Sequence, residues 1–149
     1  MIQGKWIPQG ADSAEVYALR EAVFGRGRDD LDALSQNVVV YEDDTPVGTG
    51  RLWWQDGSFR LGDLGVLPEY RGRRMGDLLL RLLLFKAQSH YAREVRLRCP
   101  QNLAGFFARL GFHGEEGSAD PEEMFLAGDE IDLDTCKSCK KQNCPSRRE

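Results

Sequence analysis

The sequence predicts a mixed α/β (α+β) domain built on a mostly antiparallel central sheet, and three observations carry that prediction. Between Val38 and Leu67 three extended stretches are separated by turn chemistry, which reads as a meander. A polar, arginine-rich loop from Pro68 to Met75 then opens into a leucine-heavy run with helical spacing, Gly76 to Ser89. Beyond it, short extended and helical patterns alternate up to Leu126.

Taken in order, Trp6-Ile7 begins a short first strand. Asp12 with Glu15 three residues later reads as a capping box, and Val16, Leu19, Val23 and Phe24 follow helical spacing down to Gly25. Arg26 to Asp32 is charged and glycine-bearing, a surface loop. Val38-Val39-Val40-Tyr41 is β-branched and extended, Glu42 to Pro46 supplies a turn, and Val47 to Trp54 is the next strand. Asp56-Gly57 is a hairpin signal that pairs this strand with Phe59 to Leu67. After the leucine-rich helix, Val95 to Cys99 is a strand and Asn102 to Leu110 a helix closed by Gly111. Met124-Phe125-Leu126 is the last strand. Apolar periodicity stops near Asp134, so residues 1–134 read as one domain and 135–149 as a cysteine- and lysine-rich tail.

The composition, 41% apolar and 30% charged over 149 residues, is that of one globular domain rather than a disordered chain. A net charge of -4 argues against a nucleic-acid binder, so a phosphate-bearing ligand needs locally clustered arginines. No apolar run is long enough for a signal peptide or a membrane span; the longest, Leu78 to Phe85, is broken by Arg81. Three of the four cysteines crowd the last residues, unlike an exported disulfide scaffold, and the expected location is the cytoplasm.

The arginine loop holds the most chemistry. Arg71, Arg73 and Arg74 lie between a strand end and a helix start, where unpaired N–H groups and the helix dipole favour an anion. Gly72 and Gly76 allow close backbone approach, so the stretch can cradle a pyrophosphate. A solvated arginine turn before an amphipathic helix is the plainer reading. No Gly-x-Gly-x-x-Gly follows a strand and no P-loop is present, which excludes the usual dinucleotide and nucleoside-triphosphate folds.

Arg71-Gly-Arg-Arg-Met-Gly76 resembles the acetyl-CoA signature of the Gcn5-related N-acetyltransferases (GNAT), Arg/Gln-x-x-Gly-x-Gly/Ala. It matches at Arg71 and Gly76 and departs at Arg74, where the family has glycine. Val66-Leu67-Pro68-Glu69-Tyr70 before it is similar too. Asn102-Leu-Ala-Gly-Phe-Phe-Ala-Arg-Leu-Gly-Phe112 resembles the family's second helix–strand junction. The ElaA-like branch is the nearest likeness: it shares the Leu-Arg-x-x-Val-Phe start (Leu19 to Phe24), the Asp-x-x-Asp-Ala segment (Asp29 to Ala33) and the Glu-Glu-x-Phe-x-x-Ala-Gly close (Glu122 to Gly128).

The resemblance implies a GNAT-like sheet with helices on both faces and a parallel strand pair, ending near Val66 and Cys99, that splays apart. Acetyl-CoA would be the co-substrate and a primary amine of a small molecule the acceptor; charge and hydropathy point to no nucleic-acid or membrane partner, and the protein is expected as a monomer or homodimer. Pantetheine would pair with backbone at Val66 and Leu67, and the diphosphate would sit on Arg71, Gly72, Arg73, Arg74, Met75 and Gly76, with Asn102 and Phe107 also at the cofactor. The backbone N–H at Val66 would hold the oxyanion.

The family's general-acid tyrosine falls at Phe107, which cannot donate a proton, so a non-catalytic acyl-CoA-binding or sensor module stands as the alternative. The base position of histone-modifying relatives falls near Arg60, leaving Asp63, and after it Glu69, as candidate bases beside a structural role for each. Cys99 reads as a small core residue, His90 and His113 as surface and strand-edge residues, and Tyr70 and Tyr91 as packing residues. Alternation puts one of Trp53 and Trp54 in the core.

In the tail, Cys136, Cys139 and Cys144 have the Cys-x2-Cys spacing of a zinc site with a third thiol behind it. A reduced, disordered tail and a redox disulfide are the other readings.

Overall fold

The computed structural model describes residues 1–99, 103–114 and 122–131. Their sheet has seven strands: β1 (Ile2–Ile7), β2 (Gln36–Glu42), β3 (Thr45–Gln55), β4 (Ser58–Val66), β5 (Glu94–Arg98), β6 (His113–Gly114) and β7 (Glu123–Ala127). They lie in the order β1-β2-β3-β4-β5-β7-β6. Every neighbouring pair is antiparallel except β4 and β5, which run parallel. The turns are those that hairpins demand: Asp43 and Asp44, then Asp56 and Gly57, all adopt positive φ between their strands.

Helices cover both faces. The leucines of α2 (Met75–Ser89), Leu79, Leu80, Leu83 and Leu84, join Val38, Val40, Val47 and Leu52 in the main core. On the other face Val16 and Leu19 of α1 (Ala14–Phe24) pack on Val39, the residue between the two core valines of β2. A short α3 (Ala104–Ala108) adds Phe107 to the main core, and Leu110 follows it there.

Three local expectations change. Ser13, not Asp12, caps α1, its Oγ accepting from Val16 N–H at 3.3 Å. Asp12 instead accepts from the Tyr17 hydroxyl of α1 at 2.6 Å, and Glu15 from that of Tyr41 on β2 at 2.6 Å, so both capping-box carboxylates are engaged by tyrosine hydroxyls. The loop after α1 contains a 3-10 turn, Asp30–Ala33, with its own capping box from Asp29 and Asp32. Tyr91 is no packing residue: it is 91% exposed, with φ 58, in the link from α2 to β5. No helix among the described residues is long and apolar enough to cross a membrane.

Candidate functional site

Two features of β4 open a cleft. First, its pairing with β5 covers only Phe59↔Val95 and Arg60↔Arg96, although β4 continues to Val66. Second, β4 carries a bulge: Thr49 faces Gly65 and Arg51 faces Gly62, so Asp63 and Leu64 together oppose Gly50. Asp63 takes φ 51 there, a conformation that non-glycine residues rarely adopt. Beyond Arg60, and through this bulge, β4 no longer pairs with β5.

The resulting cleft has a volume of about 750 Å³ and runs from the start of α2 along β4 to the last turn of α1. Val66, Arg71, Gly72, Arg74, Met75, Gly76 and Phe107 of the expected set line it. Leu67 N–H donates to Val47 O at 2.9 Å on β3, and Leu67 O accepts from Tyr70 N–H at 2.9 Å, so both backbone groups of Leu67 are engaged. The expected pairing of Leu67 with a ligand therefore has no free N–H to use. N–H groups alternate along a strand, so the Val66 N–H projects to the opposite edge, into the gap that β5 leaves. The Val66 carbonyl on that edge accepts from Arg71 Nε at 3.0 Å.

Arg73 is not among the residues that line the cleft. Its guanidinium turns away to Glu42, with bonds of 3.0 and 3.2 Å, and stacks over the Tyr70 ring. Arg74 is the N-cap residue of α2 and sits in the left-handed region, φ 65, with no side-chain cap. Gly72 has φ +81 and open space where a Cβ would stand, as a backbone cradle requires. Gly76 faces Phe106 of α3 across the cleft mouth. Asn102 lies outside the described residues, as do Cys136, Cys139 and Cys144. Among the described residues, no group of three or more His, Cys, Asp or Glu side chains is placed to hold a metal.

Beside the bulge lies a cluster that sequence reasoning missed. Arg51 forms a two-bond fork to Asp29 at 2.7 and 2.8 Å and reaches Asp63 at 3.0 Å. Arg20 pairs with Asp32 at 2.7–2.8 Å and with the Asn37 amide oxygen at 2.7 Å, and its Nε is 3.6 Å from Asp63. Arg26 closes over Asp63 from outside. Arg20, Asp32 and Arg51 are almost wholly buried. The paired hydrogen bonds from Arg51 hold the Asp29 carboxyl down to about 2. Asp63, the candidate base, is thus bonded to two guanidinium groups and close to a third. The readable signal was an arginine on an apolar face: Arg20 four residues after Val16, and Arg51 two residues before Trp53 on the β3 face opposite Leu52.

Among the remaining candidates, Glu69 is exposed. Cys99 is buried with its thiol 3.2 Å from the Met124 sulfur, and burial raises its pKa. His90 is exposed, and His113 stands on the edge strand against Phe125 and Glu130. Trp53 is buried and Trp54 exposed. On the far side of the bulge a smaller recess of about 420 Å³ is lined by Trp53, Gln55, Arg60 and Asp63, among others.

Comparison with known proteins follows the same architecture. A family model described as an acetyltransferase (GNAT) domain matches residues 34–114, from the start of β2 through α3 to β6. The uncharacterized N-acetyltransferase YjcF of Bacillus subtilis is 26% identical over 106 residues, covering 66% of this chain and 76% of that protein. The crystal structure of Escherichia coli ElaA superposes with a TM-score of 0.69 at 20% identity, over 84% of this chain and 99% of that one. A GNAT family acetyltransferase from Brucella melitensis, solved in complex with acetyl-CoA, gives a TM-score of 0.65 at 24% identity, over 85% and 88% of the two chains.

Proposed function

The chain belongs to the GNAT acetyltransferase family, and from that premise we propose that it transfers an acetyl group from acetyl-CoA to a primary amine of a small molecule. The observation that carries this reading is the cleft itself: two parallel strands part, and the gap leads to the N-terminus of α2, with Gly72 in the loop before it and Gly76 in its first turn. The pyrophosphate takes the first N–H groups of α2 and the Arg71 guanidinium, where the helix dipole favours negative charge. Pantetheine lies against β4 as an added strand and bonds to the Val66 backbone. The catalytic domain is assigned to residues 1–134; its described core extends to the buried Ile131.

The thioester carbonyl then lies at the Val66 N–H, which stabilises the oxyanion as the neutral amine attacks the carbonyl carbon. Collapse of that intermediate breaks the C–S bond, the nitrogen loses its proton, and the thiolate departs. Phe107 offers no proton, and a thiol with an ordinary pKa of ~8.5 can leave as thiolate and be protonated by water. Asp63 is committed to its arginines, so we assign it to holding the bulge, with water taking the amine proton. The recess of about 420 Å³ behind the bulge is of a size for a small acceptor.

Calorimetry with acetyl-CoA tests the placement. Gly76→Glu puts a carboxylate into the cradle and is expected to abolish binding, with thiol release in the presence of primary amines lost alongside. Wild-type affinity in Gly76→Glu would exclude this placement.

A further inference from the structure

The end of the cleft remote from α2 is built by a residue the reaction scheme does not use. Gly65, next to Val66, is buried, and a Cβ there would lie 2.9 Å from Val23 Cγ1 and 3.0 and 3.1 Å from Phe24 Cζ and Cε2. Two side chains of the last turn of α1 therefore rest directly on the backbone of β4. Phe24 is 38% exposed and belongs to neither apolar core, yet it lines the cleft together with Val23 and Leu64. Its ring is braced from outside by the Arg26 guanidinium, 5.2 Å from the centroid, which is itself bonded to Asp63. An aromatic ring held in this way, between a glycine backbone and a fixed cation, forms a wall rather than core packing.

We infer that Phe24 sets the acyl chain length that the cleft accepts, restricting it to short acyl groups. The inference rests on the acetyl-CoA placement proposed above. With pantetheine running from the α2 end toward the bulge, and the thioester carbonyl at Val66 N–H, the acyl carbons beyond it meet Gly65, Leu64 and the faces of Val23 and Phe24. An acetyl methyl stops short of the ring. Each further methylene must displace it, against the Arg26 guanidinium that stacks on the ring and bonds Asp63. A close-fitting apolar wall discriminates one methylene by roughly tenfold or more.

The test needs no acceptor: titrate CoA, acetyl-CoA and butyryl-CoA into wild type, Phe24→Leu and Phe24→Ala, confirming folding by thermal melts. In wild type, butyryl-CoA should bind at least about tenfold more weakly than acetyl-CoA. Phe24→Ala should bring the two affinities together or invert them, with Phe24→Leu between, while the affinity for CoA changes little. Equal wild-type binding of both thioesters, or an unchanged ratio in Phe24→Ala, overturns the inference and leaves the cofactor placement standing. Failure of all three ligands to bind wild type removes the placement and the inference with it.

Discussion

Arg74 occupies the left-handed region at the junction that the cofactor must approach, and it does so without a side-chain cap or a β-carbon tolerant of that geometry. The strain is local and removable. Arg74→Gly is expected to raise stability by about 1 kcal/mol in urea melts, offset in part by the greater freedom glycine gives the unfolded chain. Acetyl-CoA affinity should be at least that of wild type, since the N–H groups of α2 remain. A loss of stability in that variant would show that the arginine side chain, not the backbone, fixes the turn. The sequence marked this residue as the one departure from the family's glycine pattern, but left the need for positive φ open. Asp12 is the converse case. Its spacing to Glu15 fits a capping box, yet Tyr17 in the adjoining helix and Arg28 beyond it claim the carboxylate, and a residue-type pattern does not rank such side-chain partners against the helix N–H groups.

At the scale of elements, the bulge in β4 depends on α1, on the 3-10 turn after it, and on β3, because each contributes to the charge cluster around Asp63. Arg20 and Asp32 are buried at 1% and 2% exposure, so removing Asp32 leaves Arg20 with only the Asn37 amide oxygen at 2.7 Å and the more distant Asp63 at 3.6 Å. Asp32→Ala should cost about 3 kcal/mol of folding stability, read as a shift in urea midpoint; a change near zero would mean that water replaces the carboxylate. The cluster also sets an acid limit. Asp29 has its folded pKa lowered from 3.8 to about 2 by the Arg51 hydrogen bonds, so its contribution is complete above about pH 4 and is lost as pH falls through about 2. Urea midpoints taken from pH 5 to pH 2 should therefore drop in wild type, and by less in Asp29→Asn. Equal slopes in the two proteins would assign the acid transition to other carboxylates.

Elements of this kind were legible in the sequence to different degrees. The strands, the two main helices and the arginine loop followed from alternation, helical spacing and turn residues, all properties of neighbours in the chain. The bulge did not, although Gly62-Asp63 inside a strand pattern is a local signal for one, because apolar alternation alone leaves the register after it open. Nor did the cluster, whose members come from segments separated by up to 43 residues, Arg20 to Asp63. The ElaA-like motifs Leu-Arg-x-x-Val-Phe and Asp-x-x-Asp-Ala are visible in the sequence as a pattern. Their physical meaning, that Arg20 of one meets Asp32 of the other, appears only in three dimensions.

Over the whole molecule the sheet divides into an antiparallel half, β1 to β4, and a second half, β5, β7 and β6, joined by two parallel residue pairs. This division makes a sharp prediction for amide hydrogen exchange. Saturating acetyl-CoA should slow exchange at Val66, whose N–H faces the gap, and leave Leu67, bonded to Val47 O, nearly unchanged. Equal protection of both amides would rule out pantetheine lying along this edge of β4. Val66 and Leu67 could not be told apart from sequence, since which N–H points to β3 is decided by a register that the bulge shifts.

The same division bears on temperature. With so few backbone pairs across the middle of the sheet, the two halves are joined mainly by side chains: Leu79, Leu80, Leu83 and Leu84 of α2 share one apolar cluster with Val38 and Val40 on one side and with Val95, Leu97 and Leu126 on the other. Apolar burial loses strength on cooling. The joint that frames the cleft is therefore the part of the fold most sensitive to cold, while the ladders within each half remain paired.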